Sequence, residues 1–210
     1  PNSQPTTGAT TTAERTATEP SSNPLIELST PLAFDRIRAE HVEPAIDHLI
    51  AEAQKELDHI AQGPRTAAAT LHAFDHATRR LDEAMSLVSH LESVATEPAI
   101  RAAYNAVQPK VSAFYSGIPL SKPLWNALRE FAETSEAAAL DGAQRRFLDK
   151  TLADFRRHGA ELDDEGKRRL SAIDVELSQL TTRFSQNVLD ATNAFELLVE
   201  DPARLAGLPN

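Results

Sequence analysis

Hydrophobic residues are missing from the start of this chain. Residues 1–22 contain no Leu, Ile, Val, Phe or Met and are rich in Thr, Ser and Pro. Such a stretch has too little apolar surface to offset an ordering entropy of roughly 1–2 kcal/mol per residue, so the pattern predicts a disordered extension. After Asn23-Pro24 come Leu25, Ile26, Leu28, Leu32, Phe34 and Ile37, irregularly spaced and interrupted by Pro31. Because proline pushes its predecessor out of the α region, extended chain laid across a helical body is expected there. From Val42 the spacing turns helical. Val42, Ala45, Ile46, Leu49, Ile50, Ala53, Leu57 and Ile60 recur at threes and fours until Gly63-Pro64 closes the element.

The same reading continues down the chain. A helix capped by Thr66 carries Leu71, Phe74, Leu81, Val88 and Leu91, and a third starts near Pro98 with Ile100, Tyr104, Val107, Val111 and Phe114. Pro109 lies inside the third and predicts a kink. Ser121 caps a shorter helix with Leu124, Trp125, Leu128 and Phe131, and another runs from about Leu140 to His158-Gly159. The last helix begins behind Asp163 and carries Leu170, Ile173, Leu177, Leu180, Phe184 and Val188 to about Asn193. About 30 residues at 1.5 Å each make a rod of roughly 45 Å, against a radius of gyration of about 16 Å for a compact 190-residue ball. Beyond it Phe195, Leu197 and Val199 alternate with Glu196, Leu198 and Glu200, a period of two with no clear partner strand elsewhere. The predicted fold class is all-α: an elongated multi-helix bundle with one long C-terminal helix and a terminal strand lacking its partners. Residues 201–209 read as a turn approaching a further element, and the chain is expected to be the N-terminal piece of something longer.

Composition narrows the function. Of 210 residues, 21 are Lys or Arg and 31 Asp or Glu, a net charge of −10, which argues against a nucleic-acid phosphate binder. There is no cysteine, hence no disulfide, thiol nucleophile or Cys-ligated metal. No apolar run reaches membrane-spanning length and no signal peptide opens the sequence, so a soluble cytoplasmic protein is expected.

Candidate chemistry is sparse. His72 and His76 form the i, i+4 pair that could present two imidazoles to zinc, but Ala73 stands where a zinc-peptidase H-E-x-x-H has its general-base Glu. Ordinary surface histidines explain them, as they do His41, His48 and His59 among the acidic residues of the first helix. Asp163-Asp164-Glu165 suits a helix start better than a calcium loop. The series Phe74, Phe114, Phe131, Phe147, Phe155 and Phe184 reads as core at helical spacing. No nucleophile elbow or phosphate-binding glycine loop occurs. From the residues alone this is a helical protein without an active site.

Two stretches carry a resemblance. Asn23-Pro24-Leu25 with Phe34-Asp35-Arg36-Ile37-Arg38-Ala39-Glu40-His41-Val42-Glu43-Pro44-Ala45, and the run from Leu177 through Arg183-Phe184-Ser185-Gln186-Asn187 to Phe195, resemble the thimet oligopeptidase and oligopeptidase A type of zinc metallopeptidase. Leu205-Ala206-Gly207-Leu208-Pro209 continues the likeness, which spans about 23–210. The disordered extension (1–22) lies outside the resemblance, which implies a helical N-terminal lobe (23–193) and the start of the next region (194–210). It implies a parent that hydrolyses short unstructured peptides, with this lobe walling the substrate channel. The family's zinc and its H-E-x-x-H helix belong to the C-terminal half, so no catalytic, cofactor-binding or metal-ligating residue is assigned here. Implied partners are the parent's catalytic region and its oligopeptide substrates, with no nucleic acid or membrane. Weak self-association through residues 194–200 is expected of the isolated strand edge. The alternative is a free-standing acidic helical-bundle interaction module.

Overall fold

One buried amide ties down the irregular approach to the first helix. Asn23 is 4 % exposed; its Nδ2 donates to the carbonyl of His41 at 2.8 Å, and its Oδ1 accepts from the N–H of Leu25 at 3.0 Å. Leu25 is thereby plugged into the core beside Val42, Ile46, Leu81 and Val88. The computed structural model describes residues 23–207 except 29 and 96, so the expected disordered extension lies outside the described residues.

Helix α1 (Ala39–Gln62) starts with its own cap, the Arg38 backbone N–H donating to Nδ1 of His41 at 3.1 Å. At its other end Arg65 serves the last carbonyls, donating to Gly63 at 2.6 Å and Ala61 at 3.2 Å while its Nε reaches Glu130 at 2.8 Å. Thr66 caps the next element as expected, but that element is not one helix. Ala67–His72 is a π-helical turn, continued by α2 (Ala73–His76) and, after a break, by α3 (Arg79–Ala95). Within the π turn Thr70 is fully buried and bonds the carbonyl of Pro64 at 3.2 Å.

The remaining helices are α4 (Pro98–Leu120), α5 (Lys122–Ala132), the single turn α6 (Ser135–Ala138), α7 (Gly142–Arg157) and α8 (Asp164–Asn193). Ser121, Thr134, Asp141 and Asp163 cap the last four through side-chain oxygens, each satisfying an N–H that a helix start leaves unpaired. Helix α4 is continuous through Pro109 and Pro119. The core runs lengthwise in three clusters. One joins the Leu25 segment to α1, α3 and α4; a second sets Leu57 and Ile60 against Leu124, Trp125, Leu128 and Phe155; a third gathers Leu71, Phe131, Ala137 and Leu148. Trp125 stacks on Phe155 at 5.9 Å between centroids, with the guanidinium groups of Arg129 and Arg156 within 5.7 and 5.3 Å of its ring.

Two expectations are corrected. Among the described residues there is no β-strand: 195–201 have no regular structure, and Phe195, Leu197 and Leu198 lie open to solvent. Alternation alone cannot make a strand, because its backbone groups need a neighbouring ladder. The fold is therefore an elongated multi-helix bundle without the terminal strand, and the expected association through a strand edge at 194–200 loses its basis. The stripe on α8, too, is not core. No residue of α8 is buried; Ile173, Leu177, Leu180 and Val188 are at least half exposed, and Phe184 is 69 % exposed. Phe131 and Phe155 are core as expected, and Phe74, Phe114 and Phe147 are half-buried.

Candidate functional site

Helix α8 meets the bundle with its polar side. Lys167 Nζ donates to the carbonyl of Leu120 at 2.9 Å, and Gln186 Nε2 to Oδ1 of Asn105 at 2.7 Å. Arg101 Nη1 donates to both carboxylate oxygens of Asp190, at 2.8 and 3.0 Å, while its Nε reaches the buried Glu92 at 3.2 Å. The corner that launches α8 needs glycine. Gly159 has φ +94°, and a Cβ there would stand 2.8 Å from both Leu162 and Leu170 and 3.3 Å from Leu120.

Because α8 leans on α4 through small and polar residues, it does not close on α3 and α7. A cleft of about 970 Å³ remains between them. Hydroxyl groups dominate its polar wall: Ser89 and Ser93 from α3, Ser112 and Ser116 from α4, and Ser178, Thr182 and Ser185 from α8. Ser178 Oγ is shielded from solvent and has no hydrogen-bond partner among the described residues. Glu92, Asp154 and Asp174 make the cleft acidic, and Phe155, Ile118 and Val111 give it an apolar floor. Tyr104 and Tyr115 also line it. Burial raises both phenols above their ordinary values; Tyr115 is raised furthest, helped by its bond to Asp82 at 2.5 Å. Ser93 and Ser116 donate to the carbonyls of His90 and Ser112 in their own helices, at 2.8 and 2.6 Å, and a hydroxyl not so engaged can turn to donate or to accept.

The histidines singled out by spacing are dispersed. Nε2 of His72, which ends the π turn, takes the side-chain amide of Gln144 at 3.1 Å. His41 caps α1, His48 lies 3.7 Å from Glu52, and His59 sits 3.3 Å from the carbonyl of Lys55. Asp163 is the cap of α8, bonded to the N–H of Gly166 at 2.8 Å. No group of three or more His, Asp or Glu able to hold a metal occurs among the described residues, and the chain has no cysteine. The described residues thus do not fit a zinc site. The cleft itself escaped the sequence reading because Ser and Thr at helical spacing look like a solvated face. The pairs 89/93, 112/116 and 178/182 were visible; their convergence was not.

Residues 46–167 match the family model described as Neurolysin/Thimet oligopeptidase, N-terminal domain. Oligopeptidase A of Haemophilus influenzae is 34% identical over 189 residues, covering 90% of this chain and 28% of that protein. Oligopeptidase A of Escherichia coli is 33% identical over 189 residues (89% and 28%), and the probable cytosolic oligopeptidase A of Arabidopsis thaliana 32% over 190 (90% and 27%). The chain spans less than a third of the length of these relatives. These matches establish that the chain belongs to the oligopeptidase A and thimet oligopeptidase family and corresponds to its helical N-terminal domain.

Proposed function

We propose that this chain is the non-catalytic helical lobe of a metallo-oligopeptidase. It works with a catalytic region carried elsewhere in a longer protein, and walls the channel that short unstructured peptides enter. The observation that carries the reading is the match over nine-tenths of this chain to oligopeptidase A, confined to about a quarter of that protein's length. It is supported by a sequence with no H-E-x-x-H, and by a cleft whose hydroxyls suit peptide backbone rather than bond-breaking chemistry. In this reading zinc belongs to the remainder of the longer chain, and no step of hydrolysis runs through the residues described here. The cytoplasm is the proposed compartment, as the name of the cytosolic Arabidopsis relative states for that protein.

An acidic interaction module is the weaker reading, because several carboxylates of the bundle are already paired from within. Glu43 and Asp47 hold Lys110 at 2.8 and 2.9 Å, Glu52 holds Arg80, and Glu130 holds Arg65. The test compares this chain with the same chain extended to the length of its relatives, on a fluorogenic unstructured peptide. The extended protein hydrolyses it and a chelator abolishes the activity, whereas the 210-residue chain is inactive. Chelator-sensitive hydrolysis by the short chain, or an extended protein without activity, overturns the proposal. Ser178→Leu, which adds bulk to the cleft wall, raises KM in the extended protein more than it lowers kcat if the cleft forms channel wall.

A further inference from the structure

The exposed apolar stripe of α8, which borders the cleft at Leu177, is patterned like half of a helix pair. Leu170, Ile173, Leu177, Leu180 and Phe184 follow alternating steps of three and four, the spacing of a heptad seam, and Val188 lies one position off it. From Ile173 to Val188 the stripe runs about 22 Å along the helix, and Ile173, Leu177, Leu180, Phe184 and Val188 are each at least half exposed. On one edge stand Arg169, Glu176 and Arg183, seven residues apart, the flanking positions whose charges select a partner in paired helices. All three are exposed, and none has an ion-pair partner among the described residues, although α8 does form such a pair elsewhere, between Asp190 and Arg101.

We infer that the seam Ile173–Val188 is a docking face for one amphipathic helix, laid lengthwise on α8 and carrying acidic, basic and acidic residues at seven-residue intervals opposite Arg169, Glu176 and Arg183. The occupant is a helix of the same longer protein, an identification that rests on the function proposed above. Relatives place more than two-thirds of their length outside the matched region, ample chain to supply it. The length of chain outside the matched region, and not charge order, selects this occupant. An antiparallel self-pair centred between Glu176 and Arg183 would also set those opposite charges against each other, so dependence on protein concentration is what separates the two.

These 210 residues contain no cysteine, and any cysteine in the extended chain is first replaced by serine so that the introduced thiol alone is read. Leu180→Cys and Phe184→Cys are each placed in the 210-residue chain and in the chain extended to the length of its relatives. Thiol labelling is then followed relative to the same protein in denaturant. In the short chain both cysteines react close to the denatured rate at every protein concentration; in the extended chain labelling slows at least tenfold. Adding Arg169→Glu and Arg183→Glu to the extended chain restores much of the reactivity. Equal labelling in both lengths overturns the inference. Protection in the short chain that grows with concentration, with a dimer mass in sedimentation, also overturns it and assigns the face to a second copy. Peptide hydrolysis measured on the same extended variants separates the two claims. An active enzyme with reactive cysteines removes the docking helix alone, and an inactive protein with protected cysteines removes the proposed function alone.

Discussion

Arg101 on α4 and Asp190 on α8 are 89 positions apart in sequence and joined by two hydrogen bonds from a single guanidinium nitrogen. Asp190 raises the Arg101 pKa above its ordinary value, and Glu92 adds to the effect from α3. Three helices therefore meet at one cation, at the far end of α8 from the Gly159 corner. Since α8 has no buried residue, such polar ties rather than a hydrophobic interface hold its C-terminal half.

Removing that cation should loosen α8 and little else. Arg101→Met is expected to speed amide exchange over residues 180–193, while α1, whose inner face is fully buried, keeps its protection. Asp190→Asn should give a milder version of the same pattern. Unchanged exchange in α8 would show that its packing on α4 suffices without the ion pair.

Two phenylalanines of the same periodic series should behave oppositely. Phe131 is fully buried between Leu71, Ala137 and Leu148, so Phe131→Ala is expected to cost about 3–5 kcal/mol. Phe184 is mostly exposed, and Phe184→Ala in the 210-residue chain should stay within about 0.5 kcal/mol. Denaturant midpoints of the two variants check this. A large loss at Phe184 would place α8 with its apolar face inward.

That contrast marks how far the sequence could be read. Caps at Thr66, Ser121 and Asp163 and the stop at Gly159 were legible because each is a local hydrogen-bonding or steric requirement. Periodicity showed which residues of α8 share a face, but it holds no information on what covers that face. The π turn at Ala67–His72 was invisible for a related reason: no periodicity marks a widened turn, which here buries Thr70 and sets Leu71 against Phe131 and Leu148. Residues 195–199 alternate like a strand, yet a strand exists only where another supplies its ladder. The cleft wall drew on helices far apart in sequence, so no local pattern announced it.

Glycine substitutions should test the corner between α7 and α8. Gly159→Ala forces a side chain into a positive-φ backbone and against Leu162 and Leu170, and is expected to cost about 2 kcal/mol or more. Gly117→Ala, inside α4 with nothing within 4 Å of the added carbon, should instead stabilise by up to about 1 kcal/mol. Thermal unfolding of the pair is the measurement. Equal effects would mean that the corner relaxes freely and does not set the direction of α8.

Asn23→Ala should detach the segment that plugs the core. The side chain is buried and serves both the His41 carbonyl and the Leu25 N–H, so its loss leaves two polar groups without their partner. A cost of about 1–3 kcal/mol is expected. Lys110→Met, which removes partly exposed ion pairs to Glu43 and Asp47, should cost no more than about 1 kcal/mol and less in high salt. A reversed order would make the surface pairs, and not the N-terminal plug, the main link holding α1.

Tyr115 should impose an alkaline limit on stability. Burial and the bond to Asp82 raise its pKa in the folded state above the ordinary value of 10.0. Below that value the phenol is protonated in both states, and its full contribution to stability is present. As pH rises past 10.0 the unfolded chain loses the proton while the folded chain keeps it, so the native state binds more protons and stability falls with pH. The decline continues until the folded phenol itself ionises. Tyr104 is raised in the same direction by its burial, and Lys110, held up chiefly by Asp47, adds to the slope as it deprotonates. Tyr115→Phe keeps the ring and removes this one titration, so urea midpoints between pH 9 and pH 11 should fall less steeply than in the parent sequence. Tyr104→Phe should have the same sign and a smaller effect. An identical slope in Tyr115→Phe would show that the phenol ionises as readily in the folded chain as in water, and that the bond to Asp82 is not held in solution.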